Sequence, residues 1–262
     1  SNHSKNVYKN TVATAKREDT GEEVEYPLTT PISAVNYSVR DRSKTEPIPG
    51  FDPSTKFNFL CVSQWGPRKN FENTIKWWVE EFHDQNVGLI LKTSIANNSQ
   101  IDKSHTDRNI SELLNKYKNR ECKVYLLHGD LSEEQLNWLY THENTKCLIN
   151  IAHGEGFGLP LFEAAQCALP IITIGWSGQL DFLNHSGKDY FLKVDHRLEK
   201  IQREAVWDGV LDAESKWAYA EQGSFKMNLR KMKKSWKKQK KVATELQSIV
   251  NEKFTEENIK CL

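Results

Sequence analysis

The strongest constraint on this chain is a series of short apolar runs separated by stretches long enough for a helix. The runs are residues 57–62 (FNFLCV), 87–91 (VGLIL), 123–127 (KVYLL), 147–151 (CLINI), 171–174 and 190–194. A strand wetted on one face alternates apolar and polar residues, whereas one covered on both faces stays apolar throughout. The intervening stretches carry helix signals. Phe71, Ile75, Trp78 and Phe82 keep the 3.6-residue period behind Asn70, which can cap a helix. Ile110, Leu113, Leu114 and Tyr117 predict a helix over 109–118. Ser132 and Gln135 form a capping box, with Leu131 and Leu136 at the staple positions. Pro160 suits the first helical position of a further helix. Strands alternating with helices predict an α/β chain built on a doubly wound parallel sheet of about six strands.

The flanks read differently. Residues 1–56 hold Pro27, Pro31, Pro47, Pro49 and Pro53 with little periodicity. Only 32–39 reads as a short strand there, and the rest reads as linker. From Lys226 to Lys241 there are nine Lys/Arg and no acid. Leu229, Met232, Trp236, Ala243, Leu246 and Val250 nevertheless keep a 3-4-3 spacing, which predicts one long basic amphipathic helix over 226–262. It suits packing along the domain or contact with a membrane surface or partner domain.

With 36 basic and 35 acidic residues among 262, the formal charge is +1, and 38% of residues are apolar. That balance excludes a disordered polyion and leaves no overall charge to bind nucleic acid. The longest nearly apolar run, 167–176, has ten residues, well short of the ~20 needed for a membrane span. Cys61, Cys122, Cys147, Cys167 and Cys261 are odd in number and widely spaced, with no metal-ligand pattern. Buried free thiols in a reducing, cytoplasmic setting, with no targeting segment at the start and at most a peripheral membrane contact, are the expectation.

The chemistry concentrates in residues 153–163 (HGEGFGLPLFE), after the fourth strand and at the start of a helix. Ligands of open parallel sheets bind beyond the carboxyl ends of the strands. Gly154, Gly156 and Gly158 let backbone N–H groups approach a ligand, and a helix N-terminus suits phosphate. Glu155 and Glu163, eight residues apart, could serve opposite ends of a ligand, since carboxylates accept hydrogen bonds from sugar hydroxyls. A glutamate early in a helix is also favourable without any ligand.

This string resembles the Glu-x7-Glu signature of retaining GT-B glycosyltransferases (group 1, GT4-like), with Glu155 and Glu163 on the two signature positions. Residues 57–70, 124–139 and 168–183 are similar to the family's first donor-domain strand and basic loop, its strand–Gly–turn–helix segment, and its following strand and glycine loop. The resemblance spans about residues 55–195. It implies the Rossmann-like C-terminal half of a GT-B fold, with residues 1–56 as the end of a preceding domain plus linker, 57–225 as the donor domain and 226–262 as the terminal helix.

The resemblance further implies that Glu163 holds the ribose and Glu155 the transferred sugar. Gly156, Phe157, Gly158 and Leu159 would touch sugar and phosphate through backbone. Lys69 and Arg68 would neutralise the diphosphate, with Gly129, Gly178 and Lys92 also at the donor. A hexose would pass from a nucleotide diphosphate sugar to an acceptor hydroxyl with retention, without metal or other cofactor. An acceptor domain or partner subunit would complete the enzyme. The sequence departs from the family at Ser63-Gln64, where an arginine is usual, and at Lys92-Thr93-Ser94, where a glycine turn is usual. His128 fits a place beside the nucleobase, and His153 precedes the signature. The alternative is a nucleotide-sugar-binding module or donor subunit without turnover. A phosphorylase-like reading would need a pyridoxal phosphate lysine, for which there is no matching segment.

Overall fold

The computed structural model describes residues 1–260. Six parallel strands form the central sheet: β3 (Asn58–Val62), β4 (Gly88–Lys92), β5 (Lys123–Leu127), β6 (Thr145–Asn150), β7 (Ile171–Ile174) and β10 (Leu192–Val194). Their order is β10-β7-β6-β3-β4-β5, every neighbouring pair parallel. The expected doubly wound, Rossmann-like sheet is present, and its order reverses between β3 and β6. That switch point opens a crevice at the carboxyl ends of the two strands.

Two apolar layers enclose the sheet. On β3, Phe59 and Cys61 face one layer and Leu60 the other, and all three are buried. Helices α2 (Phe71–Phe82), α3 (Gln100–Leu114) and α7 (Gln222–Lys234) cover the first layer through Trp78, Phe82, Ile110 and Leu229. Helices α4 (Glu133–Thr141), α5 (Leu159–Gln166) and α8 (Trp236–Lys253) cover the second through Leu139, Phe162 and Leu246. The capping box of Ser132 and Gln135 starts α4 as expected. Asn70 does not cap α2 with its side chain. It sits in a left-handed turn (φ 51°), which aims its amide at the Ile151 carbonyl instead.

The single terminal helix is corrected by the structure. The chain breaks at Ser235, between α7 on the α2 side of the sheet and α8 on the α5 side. One straight helix cannot serve both faces, yet the apolar spacing runs unbroken across the joint, so the pattern conceals it. A short α9 (Glu256–Lys260) follows. Part of the basic character is tied to the fold. Lys226 pairs with Glu80 at 2.6 Å, Arg230 with Glu81 at 2.5 Å, and Lys240 donates to the Ala168 carbonyl. Lys231, Lys234, Lys237, Lys238 and Lys241 stay exposed.

Residues 32–39 lie outside every strand among the described residues. The Tyr37 ring approaches Phe157 of the glycine loop, and the Val39 N–H donates to the carbonyl of Phe254, just past α8. Before them stand α1 (Asn2–Asn10) and the exposed antiparallel hairpin β1 (Val12–Lys16) and β2 (Glu23–Pro27), none of which the sequence pattern announces. The strands β8 (Asn184–His185) and β9 (Lys188–Asp189) make a small turn, α6 (Leu180–Leu183) precedes them, and β11 (His196–Lys200) pairs with β12 (Lys216–Ala220) beyond the sheet. Cys61, Cys122, Cys147 and Cys167 are free and buried, with the Cys61 thiol pushed up to about 12 by burial, while Cys261 lies outside the described residues. Among the described residues no helix is long and apolar enough to cross a membrane.

Phe162 joins Phe157, Phe182 and Phe254 at centroid separations of 5.0 to 5.4 Å and is 1% exposed. Phe162→Ala is expected to lower the unfolding free energy by about 3–5 kcal/mol. Urea denaturation would read this as a lower midpoint at an unchanged slope.

Candidate functional site

The loops after β3 and β6 meet over the switch point. After β3 the chain makes a 3-10 turn at Pro67–Lys69 before the left-handed Asn70. After β6 it runs through His153, Gly154 and Glu155 to Gly158, whose left-handed φ of 89° opens α5. The His153 N–H donates to the Arg68 carbonyl at 2.8 Å, so backbone joins the two loops.

Glu155 is the hub. Lys69 Nζ donates to its two oxygens at 2.7 and 2.8 Å, Arg68 Nη1 to Oε2 at 3.2 Å and Asn150 Nδ2 to Oε1 at 3.0 Å. Arg68 also donates to the Gly154 carbonyl. The Glu155 side chain is 6% exposed, Lys69 18% and Arg68 45%, so the carboxylate lies sealed beneath cations that reach toward solvent. Burial pushes this carboxyl up, but Lys69, Asn150 and Arg68 outweigh it and hold the group below its usual value. These contacts fill the roughly four acceptor positions of a carboxylate.

The glycine loop is held from below. The Glu155 N–H donates to Ser177 Oγ and the Gly178 N–H to the Glu155 carbonyl, both at 2.9 Å. A side chain on Gly178 would overlap the Gly156 carbonyl, so close backbone approach explains that glycine. Phe157 is buried in the aromatic cluster and anchors the loop, leaving its backbone for any ligand. Leu159, the first helical residue, is half exposed.

Lys92, at the end of β4, donates to the Gly129 carbonyl at 2.6 Å, and Gly129 takes a left-handed turn. Burial lowers the Lys92 pKa. Ser63, Gln64, Arg68, Lys69, Lys92 and Thr93 line a cavity of about 700 Å³. A smaller one, about 290 Å³, includes Arg68, Glu155, Gly156 and Trp176 in its wall. Among the described residues no group of His, Cys, Asp and Glu side chains is arranged to hold a metal ion.

The two signature glutamates do not converge. Glu163 turns toward α4 and the linker, where Arg42 Nη2 donates to one oxygen at 3.0 Å and the Tyr140 hydroxyl to the other at 2.9 Å. Arg42 also binds Asn137. Glu163 lines neither cavity. His153 is a core histidine: it is 1% exposed, its Nδ1 bonds the Ala218 carbonyl, and burial lowers its pKa. His128 binds Asp102 at 2.8 Å.

Several contributors were missed by sequence reading. Asp102 accepts the N–H groups of Ile95, Ala96 and Asn97 and so shapes the wall of the larger cavity. Its signal was available, because Ser99 followed three residues later by Asp102 is a helix-start signature and Ser99 does cap α3. Arg42 and Asn150 carried no such signal, since only tertiary contact gives them meaning.

Comparison with known proteins identifies the fold. No protein-family model matches the chain. A stretch of 118 residues, 44% of this chain, is 32% identical to the serotype-specific mannosyltransferase WbdA of Escherichia coli and covers 13% of that protein. Anabaena HepE in complex with UDP and glucose superposes with a TM-score of 0.52 at 15% identity, covering 79% of this chain and 47% of HepE. The C-terminal domain of a group 1 glycosyl transferase, LpcC of Francisella tularensis, gives 0.52 at 11% identity, covering 83% of this chain and all of that domain. The chain therefore has the fold of a GT-B C-terminal Rossmann-like domain, and it spans about half the length of the HepE chain.

A carboxyl held below its usual value stabilises the fold above the ordinary carboxylate range and loses that contribution as pH falls through its folded value. Lys69→Met leaves Glu155 without its main partner and should cost roughly 3 kcal/mol at neutral pH. The deficit should shrink on acidification, as Glu155 protonates more readily in the variant. Urea unfolding at pH 7 and pH 4 checks this, and a deficit independent of pH would assign the loss to packing.

Proposed function

We propose that this chain is the donor-binding domain of a glycosyltransferase that moves a hexose from a nucleoside diphosphate sugar to an acceptor hydroxyl with retention of configuration. The observation that carries the reading is the Arg68–Lys69–Glu155 cluster at the switch point of a GT-B C-terminal fold. Two cations and the α5 N-terminus stand where a diphosphate leaving group develops charge, and fixed positive groups at that place lower the barrier. WbdA is named a mannosyltransferase and HepE is complexed with UDP and glucose, which supports a hexose donor. Because the chain spans about half of HepE, the acceptor half would come from further sequence or from a partner subunit.

In this reading the diphosphate enters the larger cavity and takes over contacts from Lys69 and Arg68. Each cation so engaged frees an acceptor position on Glu155, which then receives a hydroxyl of the transferred sugar. Carboxylate and diphosphate thus share the cations. Tyr140 and Arg42 hold the two oxygens of Glu163, and because that carboxylate lines neither cavity this reading gives it no part in the diphosphate site. Transfer follows by attack on the face the leaving group vacates: the acceptor oxygen bonds to the anomeric carbon as the bond to phosphate breaks, and the acceptor proton passes to the departing phosphate oxygen. Protein groups position and stabilise rather than react.

Nucleotide binding is the first test. UDP, GDP and ADP, free and as sugar conjugates, would be screened for a rise in melting temperature. A true ligand at 100 times its Kd adds about 2.7 kcal/mol. Failure of the whole set would refute the proposal. Lys69→Met should weaken binding of the free nucleotide about tenfold, in line with loss of one charge-assisted contact. Glu155→Gln should leave free nucleotide binding intact or tighter, yet weaken the sugar conjugate relative to it, as calorimetry would show. Equal weakening of both would argue that Glu155 does not touch the sugar. Binding of conjugates without transfer by the complete protein would favour a module without turnover.

A further inference from the structure

We infer that the smaller cavity is a binding slot for a pyranose ring of the acceptor, walled by the indoles of Trp176 and Trp217; this rests on the donor-domain reading above. The slot has about 290 Å³ and also takes in His3, Tyr8, Arg68 and Glu155. That volume lies at the small end of ligand pockets and suits one sugar unit rather than a nucleotide. Indole faces cover the C–H face of a pyranose, while its hydroxyls need polar neighbours at the rim. Arg68, whose side chain is 45% exposed, and His3 supply them.

Both indoles are fixed without a ligand. Trp217 stacks on the His153 ring, with centroids 5.5 Å apart and planes 12° from parallel, and His153 is itself tied to the Ala218 carbonyl and Gln202. Trp176 lies across Gly154, so close that a side chain there would meet its ring, and the His3 ring braces it at 4.7 Å. Rigid walls bind with little entropy loss. This explains the otherwise unused His153: it is the backing plate of an aromatic wall. It also gives the β11–β12 hairpin a purpose, since Trp217 enters the slot from β12.

The position sets the role. Arg68 lines both cavities, so the slot begins where the proposed diphosphate site ends. A donor whose phosphates occupy the larger cavity presents its anomeric carbon at Arg68 and Glu155. A sugar held between Trp176 and Trp217 then lies next to that carbon, where the nucleophilic hydroxyl must be.

The test uses the full chain with methyl α-mannopyranoside and methyl α-glucopyranoside as probes, read by saturation-transfer NMR with UDP present. Ring-proton signals and Overhauser contacts to indole protons are expected in the unaltered chain. Trp176→Leu and Trp217→Leu should each weaken the glycoside about fivefold, the loss of one aromatic contact. Trp207→Leu, at an exposed tryptophan of the same hairpin segment, should change nothing. The UDP-induced melting shift, recorded on the same samples, reports the donor reading separately. No glycoside signal in the unaltered chain, or equal signals in all variants, overturns the slot. Displacement of the glycoside by UDP-glucose but not by UDP would also overturn it, because the slot would then hold the donor's own sugar.

Discussion

The buried carboxylate of Glu155 and the two cations above it are the constraint around which the carboxyl edge of the sheet is arranged. At the switch point the loops after β3 and β6 leave in opposite directions, and nothing in the sheet ladder holds them together. A carboxylate 6% exposed cannot stand there unpaired, because burying a lone charge costs several kcal/mol. Lys69 and Arg68 must therefore come to it, and their loop comes with them. The His153 N–H to the Arg68 carbonyl and the Asn70 amide to the Ile151 carbonyl repeat the same link with neutral partners. The outcome is two cations set over one carboxylate, a net positive charge fixed in place by the fold.

The surroundings follow from that centre. Gly178 lets a second loop pass against the Gly156 carbonyl, and Ser177 takes the Glu155 N–H, so the glycine loop is supported from beneath while its upper side stays open. Phe157 pins the loop to the aromatic cluster of α5 and α6. Asp102, with His128, gathers three N–H groups of the β4–α3 loop and gives the larger cavity a firm wall. At the far side, α7 and α8 close the two faces of the sheet, and most of the basic residues that face α2 are neutralised there.

The architecture was legible because it rests on local patterns. Apolar strand runs, the capping box at Ser132 and the helical spacing before Phe82 each report a free-energy preference that neighbouring residues decide. The same rule explains the errors. The terminal helix kept its apolar spacing through Ser235, so a pattern read along the chain could not register that its two halves face different layers. The stretch 32–39 alternates in burial without pairing in any sheet, and alternation does not identify the neighbour. Of the site, Glu155, Lys69 and Arg68 were legible as charged groups flanking strand ends, whereas their direct pairing was not. Glu163 resembled a companion of Glu155 in sequence, yet its carboxylate answers to Arg42 and Tyr140, which lie 121 and 23 residues away.

The amino-acid sequence alone determined that a parallel, doubly wound sheet would form and that a glycine-rich loop would lead from its fourth strand into a helix, because hydrophobic period and backbone permissiveness act over a few residues. Tertiary structure decided which charges meet, where Glu163 turns, and that Trp176 and Trp217, from separate elements, line one cavity. Those outcomes depend on distances between segments far apart in the chain, and such distances exist only once the sheet has brought the loops together.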